Sequence, residues 1–149
     1  MDLWTSTPGG LLLPAAVLLP FAGMLLGLAL GGRWVQRVAF LVIALGLALA
    51  LGIAASWLEA RGPLVYLLGG WSPPLGIALR ADGAAVAMLL AIAGVVCGIG
   101  LYARADFGTP TGVKESRTGF AYWLLLMAVW GSLNLVFVSG DLFTLYVAL

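Results

Sequence analysis

The sequence contains no histidine, a single cysteine and few charges, with seven basic and six acidic residues among 149 and a net charge of +1. Each shortage excludes a class of function. Without histidine, and with Cys97 alone, no set of residues has the spacing that holds zinc or iron. No internal disulfide can form, and no nucleophile stands beside a base. We therefore expect no metal, no other cofactor and no enzymatic activity. A chain so nearly neutral has no basic stripe to meet phosphates, which removes nucleic acid from the expected partners. Its charged fraction of 9% and hydrophobic fraction of 63% stand far from the roughly 25% charged content of a water-soluble domain.

What is present is a set of long apolar runs. Leu11 to Leu30, Val38 to Trp57, Ala84 to Ala103 and Gly119 to Ser139 contain no Asp, Glu, Lys or Arg. Each is about 20 residues, or about 30 Å of helix, the thickness of a bilayer's hydrocarbon core. The fold class expected is an all-α membrane protein forming one membrane unit. It has four transmembrane helices, the start of a fifth at about Asp141, and a short extra-membranous β-hairpin between the second and third. No Lys or Arg precedes the first run, so it lacks the basic flank of a cleaved signal peptide and should remain in the protein. Because every charge lies outside the four runs, they hold none of the ionisable groups that ordinarily carry ions or protons across a membrane. Taken alone, they read as scaffold.

The hairpin is expected over Pro63 to Arg80, where two β-prone runs, Leu64 to Leu68 and Leu75 to Leu79, flank Gly, Ser and Pro turn formers. It is too apolar for a loop in water and should lie on the membrane surface or on other helices, with Trp71 packed against them. Asp82 precedes the third span and Asp141 the fifth helix; each suits an N-cap or, alternatively, an entrance to an ion path. On the fourth span Trp123, Met127, Trp130 and Asn134 recur every three or four residues along one face. Asn134 there reads as interhelical glue or as polar lining of a water path. Gly23, Gly27 and Gly31, and again Gly94 and Gly98, have the four-residue spacing that lets helices approach closely, so both faces are expected to pack on other helices. Pro20, in mid-span, should kink the first helix. Cys97 reads as a small packed or lipid-facing thiol.

Arg33, Arg37, Arg104, Lys114 and Arg117 fall on one side of the membrane, and Arg61 and Arg80 on the other. The positive-inside rule then places the N-terminus and the hairpin outside. Trp34, Trp57, Tyr102 and Tyr122 sit at span ends, where amphipathic rings favour the headgroup level.

Two segments resemble a known family. Gly69-Gly70-Trp71-Ser72-Pro73-Pro74-Leu75-Gly76-Ile77, with Leu79-Arg80-Ala81-Asp82-Gly83 after it, and Gly140-Asp141-Leu142-Phe143-Thr144-Leu145-Tyr146-Val147 are similar to the N-terminal part of the antiporter-like membrane subunits. That family includes the D subunit of the Mrp-type sodium/proton antiporters and the N, M and L group of NADH-quinone oxidoreductase; the Trp-Ser-Pro-Pro-Leu-Gly-Ile wording is nearest the Mrp type. The resemblance implies a longer protein in which inverted helix repeats carry protons, set in the plasma membrane. The implied partners are other membrane subunits of a multisubunit complex, the lipid bilayer, protons and monovalent cations. The family's proton-transferring glutamate would follow the Leu-Tyr-Val segment, and its lysines lie on later helices, so no catalytic residue is assigned here.

After Asp141 only eight residues remain, about 12 Å of helix. Hence the expectation that the chain is a piece of a longer or split subunit, the N-terminal portion of a cation/proton antiporter-type protein. The alternative is a non-transporting subunit that anchors a membrane assembly. An independent four-helix transporter is disfavoured because its spans would need an embedded acidic residue.

The orientation is testable with single cysteines in a Cys97→Ala background. In intact cells an impermeant thiol reagent should label Ser72→Cys and spare Ser116→Cys. The reverse pattern would overturn the orientation.

Overall fold

A computed structural model describes residues 6–32, 34–71, 76–106 and 117–149. Arg33, residues 72–75 and residues 107–116, Lys114 among them, lie outside the described residues. Four long helices, α1 (Leu12–Leu30), α2 (Trp34–Ala60), α3 (Gly83–Asp106) and α4 (Arg117–Val138), precede a short α5 (Leu142–Ala148). The four long ones have the length and apolarity of membrane spans. Between α2 and α3 lie β1 (Leu64–Leu67) and β2 (Ala78–Ala81), paired antiparallel with Leu64 opposite Ala81 and Leu67 opposite Ala78.

Several boundaries differ from those expected. Helix α2 begins at Trp34 rather than Val38 and ends at Ala60 rather than Trp57, while α3 runs on to Asp106. The charge-free run measures what fits in hydrocarbon, whereas a helix continues through Gln36 and Arg37, whose long side chains reach the headgroup level. The second strand is Ala78–Ala81, three residues beyond the expected start at Leu75. Gly69 and Gly70, with φ of 72° and 76°, lengthen the turn after β1. The strand is then held from outside: Leu79 bridges to Ser139, and the Gly140 amide donates to the Ala78 carbonyl at 2.9 Å.

The other edge of the hairpin is covered as well. The Thr7 amide donates to the Val65 carbonyl at 2.9 Å, and the Val65 amide donates to Thr7 Oγ1 at 3.0 Å. With the N-terminal segment on β1 and the α4–α5 corner on β2, neither strand is left with a bare row of amides. The strands rest on helices: Leu64, Leu79 and Ala81 are buried with Leu13, Ile53, Leu89 and Val138. Trp71, by contrast, does not pack onto the helices as expected; it is 63% exposed and its ring lies beside Gly69.

A second buried cluster fills the other end, where Val38, Val42 and Ile43 of α2 meet Val96 of α3 and Trp123, Met127 and Trp130 of α4. Helix α1 lies against α2 and α4, and α2 also against α3. Glycine allows these approaches. A methyl on Gly23 would meet Val42 and one on Gly27 would stand 3.0 Å from Val35, while the Trp130 ring occupies the space of a methyl on Gly46. Gly31 closes α1 instead, at φ 59° with its amide on the Gly27 carbonyl. The expectation for the other pair fails: methyls on Gly94 and Gly98 would meet nothing within 4 Å, so among the described residues that face of α3 packs on no helix.

Gly46 and Gly94 therefore predict opposite outcomes for the same change. Gly46→Ala drives a methyl into the Trp130 ring and should destabilise the chain by about 1–3 kcal/mol. Gly94→Ala enters open space and gains helix propensity, so it should be neutral or stabilising by up to about 1 kcal/mol. Thermal aggregation of the purified chain in detergent measures both.

Candidate functional site

The inner face of α4 carries the polar chemistry of the bundle. Trp123, Met127, Trp130 and Asn134 are all buried, Asn134 with 4% of its surface exposed. The Asn134 side chain donates through Nδ2 to the Ala16 carbonyl of α1 at 2.9 Å. The reason lies four residues further along α1. In a helix the Ala16 carbonyl accepts from the amide of residue 20, and residue 20 is proline, which has none. Helix α1 nonetheless runs unbroken from Leu12 to Leu30. Asn134 supplies the missing donor, satisfying a backbone group that would otherwise be unpaired in an apolar interior. On the same face Asn134 Oδ1, Trp123 Nε1 and Trp130 Nε1 are buried with no hydrogen-bond partner among the described residues.

The two carboxylates sit at the hairpin end of the bundle. Asp141 caps α5: the Thr144 amide donates to Oδ1 at 2.8 Å and the Thr144 hydroxyl to Oδ2 at 2.8 Å. Burial pushes this carboxyl up, but hydrogen bonds from the amide and hydroxyl of Thr144 and from the amides of Phe143 and Ala78 outweigh it and hold Asp141 below the usual carboxylate value. Asp82, exposed at the start of α3, accepts from the Ala85 amide at 2.9 Å. The structure brings both acids to β2, one directly after it and one beside its first residue. Neither hydrogen-bonds to Asn134, which belongs to the α1–α4 contact. Among the described residues no three of His, Cys, Asp and Glu gather as metal ligands.

Sequence reasoning missed Ala16, Thr144 and a pairing of arginines. The carbonyl freed by Pro20 is predictable by counting back four residues, although its partner 118 positions away is not. Thr144, three residues after Asp141, stands where an N-cap carboxylate accepts from the backbone amide. Arg37 and Arg104, on different helices, line one cavity of about 430 Å³ with Gln36 and Phe40. A second cavity, about 300 Å³, lies between α4 and the end of α5 around Ser132 and Val136.

Four long apolar helices with uncharged interiors and a clamped hairpin define a multi-pass membrane protein. No family model matches the chain. It is 33% identical over 134 residues to the D subunit of the Na(+)/H(+) antiporter of Alkalihalophilus pseudofirmus, covering 88% of this chain and 26% of that protein. It is 31% identical over 96 residues to the D subunit of the Na(+)/H(+) antiporter of Bacillus subtilis, covering 64% of this chain and 18% of that one. A chain of the membrane-bound sulfane sulfur reductase, an archaeal respiratory membrane complex, shares the fold with a TM-score of 0.70 at 24% identity, covering 94% of this chain and 27% of that chain. The chain belongs to the antiporter-like membrane subunits. It spans about a quarter or less of the length of the curated relatives it matches.

A double-mutant cycle tests the Asn134 bond. Asn134→Leu leaves the Ala16 carbonyl unpaired and should cost about 1–3 kcal/mol. Pro20→Ala restores the amide of residue 20 to that carbonyl, so the loss from Asn134→Leu should shrink sharply in the Pro20→Ala background. Equal losses in both backgrounds, read from unfolding in detergent, would contradict the assignment.

Proposed function

We propose that this chain is the N-terminal portion of a proton-conducting, cation/proton antiporter-type subunit of a multisubunit membrane complex. It would lie in the plasma membrane with the N-terminus outside, alongside other membrane subunits. The observation that carries this reading is the 33% identity to the D subunit of an Na(+)/H(+) antiporter, extending over 88% of the chain. In that setting α1–α4 are the supporting helices. The hairpin fixes the corner from which α5 leaves, and Asp141 presets the direction of that helix. Coupled movement of protons against sodium or another monovalent cation would use residues beyond these 149, because the interiors of the four spans hold no acidic or basic side chain on which a relay could rest. The role is that of a transporter subunit rather than a catalytic enzyme.

A second reading, a non-transporting subunit that anchors a membrane assembly, is favoured by one observation. Asn134, the buried polar side chain of α4, commits its amide to the backbone of α1 rather than to an open path.

Liposomes with a trapped pH-sensitive dye and an imposed sodium or potassium gradient separate these roles. The 149-residue chain alone should give no proton flux above empty vesicles, and flux should appear when it is assembled with the later helices and companion subunits. Flux from the chain alone, abolished by Asp82→Asn or Asp141→Asn, would overturn the supporting role. A fully assembled complex without flux would favour the anchoring subunit.

A further inference from the structure

The cavity lined by Gln36, Arg37, Phe40 and Arg104 plays no part in the proposed transport role. Arg37 immediately precedes the charge-free run of α2 and Arg104 immediately follows that of α3. The two antiparallel helices therefore bring both guanidinium groups to one rim of the bundle, at the boundary between hydrocarbon and headgroups. Aromatic faces hold them there. The Arg37 guanidinium carbon lies 4.8 Å from the centre of the Trp34 ring, and that of Arg104 lies 6.0 Å from the centre of the Phe40 ring. Both arginines are exposed, and among the described residues neither forms an ion pair.

We propose that this cavity binds the phosphate group of an anionic phospholipid, with Arg37 and Arg104 gripping its oxygens from two helices and Gln36 adding a side-chain amide. Guanidinium groups present paired donors that match phosphate oxygens, and unlike lysine they stack on rings while doing so. Basic pockets between membrane helices are suited to acidic headgroups. The volume, about 430 Å³, is that of a small-ligand site. The surface beneath it favours a lipid over a free ion. Leu41 and Leu45 continue the Arg37 stripe of α2 into the membrane at four-residue spacing and are 59% and 47% exposed. Leu101, one turn before Arg104 on α3, is 62% exposed. An acyl chain leaving the phosphate would lie along these residues.

The test is native mass spectrometry of the full chain released from nanodiscs that contain equal amounts of phosphatidylglycerol and phosphatidylcholine. Wild type should retain phosphatidylglycerol selectively. Arg37→Ala and Arg104→Ala should each weaken retention about fivefold and the pair more than either. Arg80→Ala, which removes one charge at the opposite rim, should leave it unchanged. Both arginines are surface residues, and the Arg37→Lys/Arg104→Lys variant keeps the charge while losing the forked donors. It should bind more weakly than wild type but still prefer phosphatidylglycerol. Displacement of the lipid by excess inorganic phosphate would overturn the lipid assignment in favour of a free anion. Equal retention of the two lipids, or an equal loss with Arg80→Ala, would overturn the site itself.

Discussion

A proline in the middle of a membrane helix leaves one backbone carbonyl without its donor, and in this protein the remedy for that gap joins the first and fourth helices. Water cannot serve a carbonyl inside hydrocarbon, so a donor must come from protein. Asn134 provides it from α4, at a depth fixed by the Ala16 carbonyl. One hydrogen bond of this kind contributes only about 0.6–2 kcal/mol. Its larger effect is geometric, because it sets both the rotation of α4 and its height against α1. With Asn134 facing α1, the helical repeat turns Trp130 inward, where its ring lies on Gly46 of α2, and turns Met127 towards Gly23. Three helices are thus aligned by side chains on a single face.

The same economy of polar groups governs the hairpin. An isolated two-stranded sheet is marginal in water and exposes two edges. Here the N-terminal segment covers one edge and the Ser139–Gly140 corner the other. That arrangement ties residues 6–7, the hairpin and the start of α5 into one clamp at the end of the bundle. Asp141 belongs to the clamp, since its carboxylate accepts from the first turn of α5 while the preceding glycine donates to β2. The direction in which α5 leaves α4 is therefore set by hydrogen bonds on both sides of a single residue.

The spans, their number, the hairpin and both caps were legible because each has a local signature: the absence of charge over a bilayer's thickness, Gly and Pro between β-prone runs, an acid before an apolar run. The packing faces were not. In a soluble helix the buried side is the more apolar one; here Leu18, Leu25, Leu41 and Leu125 lie outside, while Asn134, Gly23 and Gly46 lie inside. Lipid is as apolar as leucine, so hydropathy does not separate the two sides. Glycine spacing identified the inner face of α1 and failed on α3, where the same spacing lies open. The Ala16–Asn134 bond was half legible, the vacancy following from Pro20 and the donor only from the tertiary fold.

The division between ends and interiors limits what these helices can do. Within the charge-free runs the side chains of Ser132, Asn134 and Ser139 donate to backbone carbonyls, those of Ala128, Ala16 and Val136. Acidic and basic groups occur only outside those runs in the sequence, as at the rim that Arg37 and Arg104 share. A charge held at such a rim keeps contact with water and lipid phosphates, so it avoids the desolvation that would shift or neutralise it in the interior. Proton relay through a bilayer requires the opposite, ionisable groups at depth with water between them. Among the described residues the buried side-chain atoms without a partner are Asn134 Oδ1 and the indole nitrogens of Trp123 and Trp130, and none of these groups ionises. All three lie on α4, but they face different neighbours, Asn134 the Ala16 carbonyl of α1, Trp130 Gly46 of α2 and Trp123 the Phe40 ring of α2, so they do not line one seam.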